Sequence, residues 1–177
     1  GTADAVYHNI YLIEHERPER VLVLSGDHVY TMDYQKMIEF HDRNRALATI
    51  GAIEVPVEQA SAFGVIEVDE EWRILSFAEK PTEPRQIPRR PGWSLVNLGV
   101  YCFEREVLLR ALHEDATTQS RHDFGHDVLP SLVDTGALFA YPFVDENREG
   151  GRYWRDIGTI ASYYEASMDL VGVDPTF

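Results

Sequence analysis

The run Val21-Leu22-Val23-Leu24, closed by Ser25-Gly26-Asp27, limits the possible folds more than any other stretch of the chain. Consecutive apolar side chains that stop at a turn signal are the pattern of a short strand buried on both faces, as in parallel sheets. On both sides of it the period becomes helical. Upstream, Val6, Ile10 and Ile13 share one face of a helix over Ala5 to His15. Downstream, Asp33 can cap a helix running through Met37 and Phe40 to about Asn44, and Leu47 to Val55 reads as the next strand. Helix, strand, helix, strand in that order predicts an α/β sheet.

The remainder keeps this alternation. Phe63 to Val68 and Arg73 to Ala78 read as strands joined by the acidic turn Asp69-Glu70-Glu71. Pro81 to Gly92 carries four prolines and three arginines and reads as a loop. Leu95 to Phe103 is a strand, Glu106 to His113 and Phe124 to Val133 are helices, and Ala137 to Val144 is a strand. A polar loop, Asp145 to Arg152, precedes a closing helix that Thr159 or Ser162 opens, that runs to Leu170, and that Asp174-Pro175 ends. No repeat or linker divides the chain.

Composition narrows the function classes. With 177 residues, 44% hydrophobic and 26% charged, the chain suits one globular domain with a real core. A net charge of -14 argues against nucleic acid or an anionic membrane as a partner bound through surface charge. It leaves phosphorylated substrates open, because a divalent metal and a few placed cations can handle phosphate inside an acidic protein. The single cysteine, Cys102, excludes an intramolecular disulfide and fits a reducing cytosol. No apolar run approaches the ~20 residues of a membrane span. The chain opens at Gly1-Thr2-Ala3-Asp4 without Met or a lead-in strand, so the expectation is a portion of something longer.

Several residues could carry chemistry. Asp27 follows a strand, where open α/β sheets bind ligands, and its carboxylate could hold Mg²⁺; it could equally be a turn residue capping backbone. Asp156, in Tyr153-Trp154-Arg155-Asp156-Ile157-Gly158-Thr159, could be a plain loop residue. It gains meaning only if the fold brings it to Asp27, as metal-assisted nucleotidyl transfer would need. Glu79-Lys80 precedes Pro81, which biases Lys80 to an extended conformation from which its ammonium could reach a phosphate. Glu79 could accept from sugar hydroxyls, or the two could be a solvated charge pair. Gly64, at a strand start, marks either close approach of a ligand or a bulge. His28, His122 and His126 show no zinc-ligand spacing and read as surface or capping residues. The tryptophans read as packing residues, with Trp154 the best placed to touch a ligand. No Gly-rich phosphate loop is present.

Taken in order, a set of short motifs resembles the bacterial glucose-1-phosphate adenylyltransferases over essentially the whole chain. They are Gly1-Thr2-Ala3-Asp4-Ala5-Val6, Leu24-Ser25-Gly26-Asp27-His28-Val29-Tyr30 with Met32-Asp33-Tyr34, and Ala60-Ser61-Ala62-Phe63-Gly64-Val65. Phe77-Ala78-Glu79-Lys80-Pro81, Asn97-Leu98-Gly99-Val100-Tyr101, His122-Asp123-Phe124-Gly125 and the Tyr153 to Thr159 stretch complete them. The resemblance implies a Rossmann-like mixed, mostly parallel sheet flanked by helices, with residues 1 to 177 as part of a catalytic domain that lacks its N-terminal strand and phosphate loop. A C-terminal β-helix domain is then also absent.

The resemblance further implies that Asp27 and Asp156 are catalytic and hold Mg²⁺. Gly64, Glu79, Lys80 and Asn97 bind glucose 1-phosphate, and Gly1, Thr2 and Ala3 lie near the nucleotide. The reaction implied is in-line attack of the sugar phosphate on the α-phosphorus of ATP, giving ADP-glucose and pyrophosphate for glycogen or α-glucan synthesis. The implied parent is a cytoplasmic homotetramer, and this stretch alone is expected to be inactive. Two positions depart from the family pattern: Asn97 where Ser is common, and His126 where Lys is usual. The alternatives are a nucleotidyltransferase for another nucleotide or hexose 1-phosphate, and a non-catalytic regulatory subunit of the same fold.

Overall fold

A computed structural model describes residues 1–144 and 153–171. The loop read at Asp145 to Arg152 and the helix end read at Asp174-Pro175 lie outside the described residues. The chain opens with two short helices, α1 (Thr2–Tyr7) and α2 (Ile10–Glu16), where the sequence predicted one; the break falls at His8 and Asn9, and the Asn9 amide donates back to the Ala5 carbonyl at 2.9 Å. Then come β1 (Arg20–Leu24), β2 (His28–Tyr30), α3 (Tyr34–Arg43), β3 (Ala48–Pro56), the helical turn α4 (Val57–Ala60), β4 (Gly64–Val68) and β5 (Ile74–Glu79). A long strand β6 (Trp93–Glu104), α5 (Arg105–Ala116), a π-helical turn Phe124–Val128, α6 (Leu129–Val133), β7 (Leu138–Pro142), β8 (Trp154–Asp156) and α7 (Ile160–Leu170) follow. None of these helices is long and apolar enough to cross a membrane.

The main sheet has the order β5-β4-β6-β3-β7, with β1 also paired to β6. The α/β architecture is as expected. The mostly parallel pairing is not: among the described residues only β3–β7 is parallel, while β1–β6, β3–β6, β4–β6 and β4–β5 are antiparallel. The reason is β6. It runs opposite to β1, β3 and β4, holds β3 along one edge, and shares the other between β1 (at Val100 to Glu104) and β4 (at Leu95 and Val96). Strands that point the same way are thereby kept apart by one that points back. The apolar run of β1 is accordingly only half-buried, with Leu24 exposed, because β1 has β6 as its single strand partner among the described residues.

Side chains of the central strands alternate between two apolar layers. Ile50, Leu95, Tyr101 and Phe103 pack with Leu108, Leu112, Phe124 and Leu129 on one face. Val55, Val96, Leu98, Val100 and Cys102 pack with Met37 and Phe143 on the other. Helices α5 and α6 cover the first face and α3 the second, a three-layer arrangement. The Asp33 carboxylate caps α3 by accepting from the Gln35 N–H at 3.0 Å, as predicted. Asp69 ties the acidic turn by accepting from the N–H groups of Glu71 and Arg73.

Three buried residues among those described are polar: His41, Thr49 and Ser94. His41 on α3 is fully buried, with Nδ1 2.8 Å from the Thr49 hydroxyl and Nε2 3.6 Å from Glu104, itself paired with Arg20. Burial holds this imidazole below its ordinary value, against the opposing pull of Glu104. A base that is harder to protonate folded than unfolded lets the unfolded chain take up the proton, so stability is retained above the ordinary histidine range and lost below it. We expect thermal and urea stability to fall from pH 7.5 to 5.5. In His41→Gln, which cannot titrate, that fall should be shallower by up to ~1.4 kcal/mol per pH unit. Parallel pH profiles would reject the assignment.

Candidate functional site

The positions singled out in the sequence gather at one end of the sheet. Glu79 pairs with Gly64, Val65 pairs with Val96, and the next residue, Asn97, pairs with Ala52. Glu79, Gly64 and Asn97 therefore lie in one row across β5, β4 and β6. At Asn97 the pairing with β3 shifts register, and Gly99 adopts a positive φ of 73°. The Asn97 side-chain oxygen Oδ1 accepts from the Gly99 N–H at 2.8 Å, and its side-chain amide Nδ2 donates to the Tyr101 hydroxyl at 2.9 Å.

That irregularity carries the second group. The Gly99 carbonyl accepts from the Ser25 N–H at 3.0 Å, and His28 Nδ1 lies 2.8 Å from the Leu98 carbonyl. A Cβ at Gly99 would come within 2.7 Å of the His28 ring, so the bare backbone is what lets His28 seat. His28 opens β2, and β2 pairs with β8 in a two-stranded ribbon whose register sets His28 opposite Asp156. The Ile157 N–H donates to the Asp27 carbonyl at 3.0 Å. Asp27 and Asp156, 129 residues apart in the chain by their numbers (156 − 27), are thus neighbours through backbone pairing.

Both carboxylates are exposed, and each has one oxygen engaged. Asp27 Oδ1 accepts from the Ser25 hydroxyl at 2.6 Å, and Asp156 Oδ1 from the Gly158 N–H at 2.8 Å. Neither Oδ2 has a hydrogen-bond partner among the described residues. The Ser25 hydrogen bond, helped by the nearby His28 against a smaller burial effect, holds the Asp27 carboxyl below its ordinary value. Behind the ribbon, Arg155 pairs with Asp169 at 2.9 Å and with Glu165 at 3.1 Å, fixing β8 to α7. Thr159 caps α7, and Ser162 completes a capping box with it. Among the described residues, no cluster of three or more His, Cys, Asp or Glu side chains forms a ready-made metal cage.

Trp154 joins the two groups. Its ring packs edge-on against His28 at 5.1 Å and Phe63 at 5.3 Å, and its indole N–H is buried without an acceptor among the described residues. The Phe63 carbonyl accepts from the Lys80 N–H at 3.0 Å. Lys80 corrects the expectation of an extended residue before Pro81: its φ is 48°, in the left-handed region. That conformation costs roughly 1–2 kcal/mol for a non-glycine residue. Strain of this kind persists where surrounding structure imposes it, here the bond to Phe63 and the pairing of Glu79.

Glu79 is half-buried, and no hydrogen bond reaches its carboxylate among the described residues. Two glycines make room for it. A Cβ at Gly64 would come within 2.7 Å of Glu79 Oε2 and 2.5 Å of the Phe77 ring, and a Cβ at Gly125 within 2.5 Å of Oε2. Gly64 pairs regularly with Glu79, so it marks no bulge; the space a Cβ would fill is taken by Phe77 and Glu79. Burial raises the Glu79 carboxyl above its ordinary value, while Lys80 and His126 draw it down and Asp123 adds a smaller push upward.

Asp123 carries a role that sequence reading did not assign. Its Oδ1 accepts from the N–H groups of Gly125 and His126, and its Oδ2 from the Thr2 hydroxyl at 2.9 Å. Burial alone would raise its carboxyl, but the donors from His126, Thr2 and Gly125 together hold it below the ordinary value. The readable signal was an Asp directly before a helical turn with Gly two positions on. Gly1, Thr2 and Ala3 gather here: the Ala3 N–H donates to the His122 carbonyl at 3.0 Å and the Phe124 N–H to the Thr2 hydroxyl at 3.1 Å. Among the described residues none of their hydrogen bonds runs to Asp27 or Asp156. His28 is no surface residue, since its side chain is only 12% exposed.

The sequence profile of the family described as Nucleotidyl transferase matches residues 1–172. A glucose-1-phosphate adenylyltransferase of Rhodopirellula baltica is 50% identical over 176 residues, which is 99% of this chain and 40% of that protein. The glucose-1-phosphate adenylyltransferase 1 of Vibrio cholerae is 46% identical, covering 100% of this chain and 45% of the relative. The Thermus caldophilus glucose-1-phosphate adenylyltransferase is 48% identical, covering 100% and 44%. The chain thus spans less than half the length of these relatives.

Proposed function

The chain belongs to the nucleotidyl transferase family, and on that premise we propose that its protein transfers the adenylyl group of ATP to glucose 1-phosphate, giving ADP-glucose and pyrophosphate for glycogen or α-glucan synthesis. The observation that carries this reading is the β2–β8 ribbon, which sets Asp27 beside Asp156 at the sheet end that also holds Gly64, Glu79, Lys80 and Asn97. The names of the relatives supply the choice of substrates.

Two carboxylates, each with an uncommitted oxygen, match the habit of Mg²⁺, which takes one or two carboxylates and completes its shell with water and substrate phosphates. Asp27 and Asp156 would hold the ion, and a low Asp27 pKa keeps that carboxylate ionised for the purpose. When bound, Mg²⁺ neutralises charge at the α-phosphate under attack. The protein's own groups bind and orient. The exposed Lys80 ammonium reaches the sugar phosphate, Glu79 accepts from sugar hydroxyls, the bare backbone at Gly64 allows close approach, and the Asn97 amide lines the floor. No protein nucleophile is needed, so positioning and charge stabilisation supply the catalysis. A cytoplasmic homotetramer belongs to the same proposal, on the resemblance alone.

Substrate choice is tested directly by offering the full-length protein ATP, dTTP and GTP, each with glucose 1-phosphate and Mg²⁺. ATP is expected to give a kcat/KM at least ~100-fold above the others, about 2.7 kcal/mol of discrimination. A preference for dTTP or GTP would move the protein to another nucleotidyltransferase activity. No turnover with any of them would support a non-catalytic subunit.

A further inference from the structure

One titratable cluster beside the site has no part in the reading above. Asp115, near the end of α5, is almost buried, with a side chain 10% exposed. Its Oδ2 lies 2.8 Å from His122 Nδ1, and its Oδ1 accepts from the Ser120 hydroxyl at 2.6 Å. Ser120 in turn accepts from the His122 N–H at 3.0 Å. The Ser120 hydroxyl also lies 3.0 Å from His122 Nδ1, so both partners meet the same ring nitrogen; the group has the residue types of a hydrolytic triad without its geometry, and it works as a clamp.

The clamp holds a strained residue. His122 has a φ of 54°, left-handed for a side chain with a Cβ. That turn aims the His122 carbonyl at α1, where it accepts from the N–H groups of Ala3 at 3.0 Å and Asp4 at 3.2 Å. A Cβ on Gly1 would fall 2.3 Å from the same oxygen, so the seam has no slack. The next residue, Asp123, then points its carboxylate at Thr2 and at the π-helical turn, where Gly125 abuts Glu79. A short line of contacts runs from Asp115 through His122 and Asp123 to the wall of the Glu79 pocket.

We propose that His122, locked by Asp115, is a positioning residue for the sugar-phosphate pocket. It touches no substrate; it fixes the backbone that carries Asp123 and Gly125 against Glu79. The inference rests on the reading that this pocket takes glucose 1-phosphate. His122→Ala removes the bond to Asp115 but leaves the left-handed turn unsupported. Asn tolerates that turn and can donate an amide N–H to Asp115, so His122→Asn retains both requirements.

The test uses the full-length protein, with glucose 1-phosphate binding measured by calorimetry alongside kcat and both KM values. His122→Ala is expected to weaken binding and raise the KM for glucose 1-phosphate about tenfold, with kcat changed less than about threefold. His122→Asn should recover to within about threefold. Asp115→Ala, which spares the strained residue, should match His122→Ala, and the double variant should be no worse than either single one. Unchanged sugar-phosphate affinity in Asp115→Ala and His122→Ala would overturn the proposal. So would an Asn variant as impaired as the Ala variant, or a common fall in kcat, both affinities and Tm, the mark of a purely structural role. An unsubstituted protein that neither binds nor uses glucose 1-phosphate would overturn the function itself. One that behaves normally beside unaffected variants would overturn the positioning role alone.

Discussion

Asp27→Asn is expected to lower Mg²⁺-dependent ADP-glucose formation by about three orders of magnitude in the full-length protein, measured as kcat at saturating ATP and glucose 1-phosphate. The substitution keeps the shape of the residue and an oxygen that can accept from Ser25, whose hydroxyl now lies 2.6 Å from Oδ1. It removes the charge. If Asp27 and Asp156 together anchor a divalent cation at the reacting phosphate, the loss falls on the transition state, where about 4 kcal/mol corresponds to that thousandfold. Asp27 is exposed, so little stability should go with it. A Tm within a few degrees of the parent is therefore part of the expected result. Asp156→Asn should act in the same direction. Its Oδ1 also ties the turn that leads to the capped α7, so some of its effect should appear as local loosening. Turnover near the parent value in Asp27→Asn would dismiss the metal-anchoring role.

That prediction depends on a contact that pattern reading had no means of locating. Strands β2 and β8 are three residues each, too short to show a period of two. What unites them is long-range pairing, His28 opposite Asp156, and neither segment alone contains that information. The longer elements were readable because they bury a regular face. The spacing of Met37 and Phe40, and Asp33 ahead of them, specified α3, and the stretch from Leu95 to Phe103 specified the body of β6. The direction of β6 was not readable: a mostly apolar strand is compatible with parallel or antiparallel neighbours once helices cover both faces. Burial of β1 was overestimated for a related reason, since its apolar run says nothing about what lies along its second edge.

The site was legible as a set of residues and not as an arrangement. Glu79, Lys80 and Gly64 were singled out one by one, yet local rules gave Lys80 the wrong backbone conformation. The rule for a residue before proline weighs only its nearest covalent neighbours. The hydrogen bond from the Lys80 N–H to the Phe63 carbonyl, 17 residues back by numbering (80 − 63), overrides it. Likewise Gly125 had no visible purpose until the Glu79 carboxylate was found against it.

Gly125→Ala is the sharpest probe of that last contact. The added Cβ would sit 2.5 Å from Glu79 Oε2 and 2.9 Å from Cδ, closer than any real contact. The obstructed group is the end of a flexible side chain with no hydrogen bond among the described residues holding it, so the carboxylate should swing away while the fold stays intact. A displaced Glu79 can no longer meet the sugar hydroxyls. We expect the KM for glucose 1-phosphate to rise about 10- to 100-fold, the ~1.5–3 kcal/mol typical of lost hydrogen bonds to a charged group. Glu79→Ala should raise it by a similar amount, and Gly125→Ala on that background should add little, because the two changes remove the same interaction. Gly64→Ala is the contrasting control. Its Cβ would meet Phe77 at 2.5 Å as well as Glu79, and a packed ring has less room to retreat than a carboxylate. That variant should lose Tm along with affinity. Additive effects of Gly125→Ala and Glu79→Ala would show that Gly125 serves the backbone of the π-helical turn, and not the seat of Glu79.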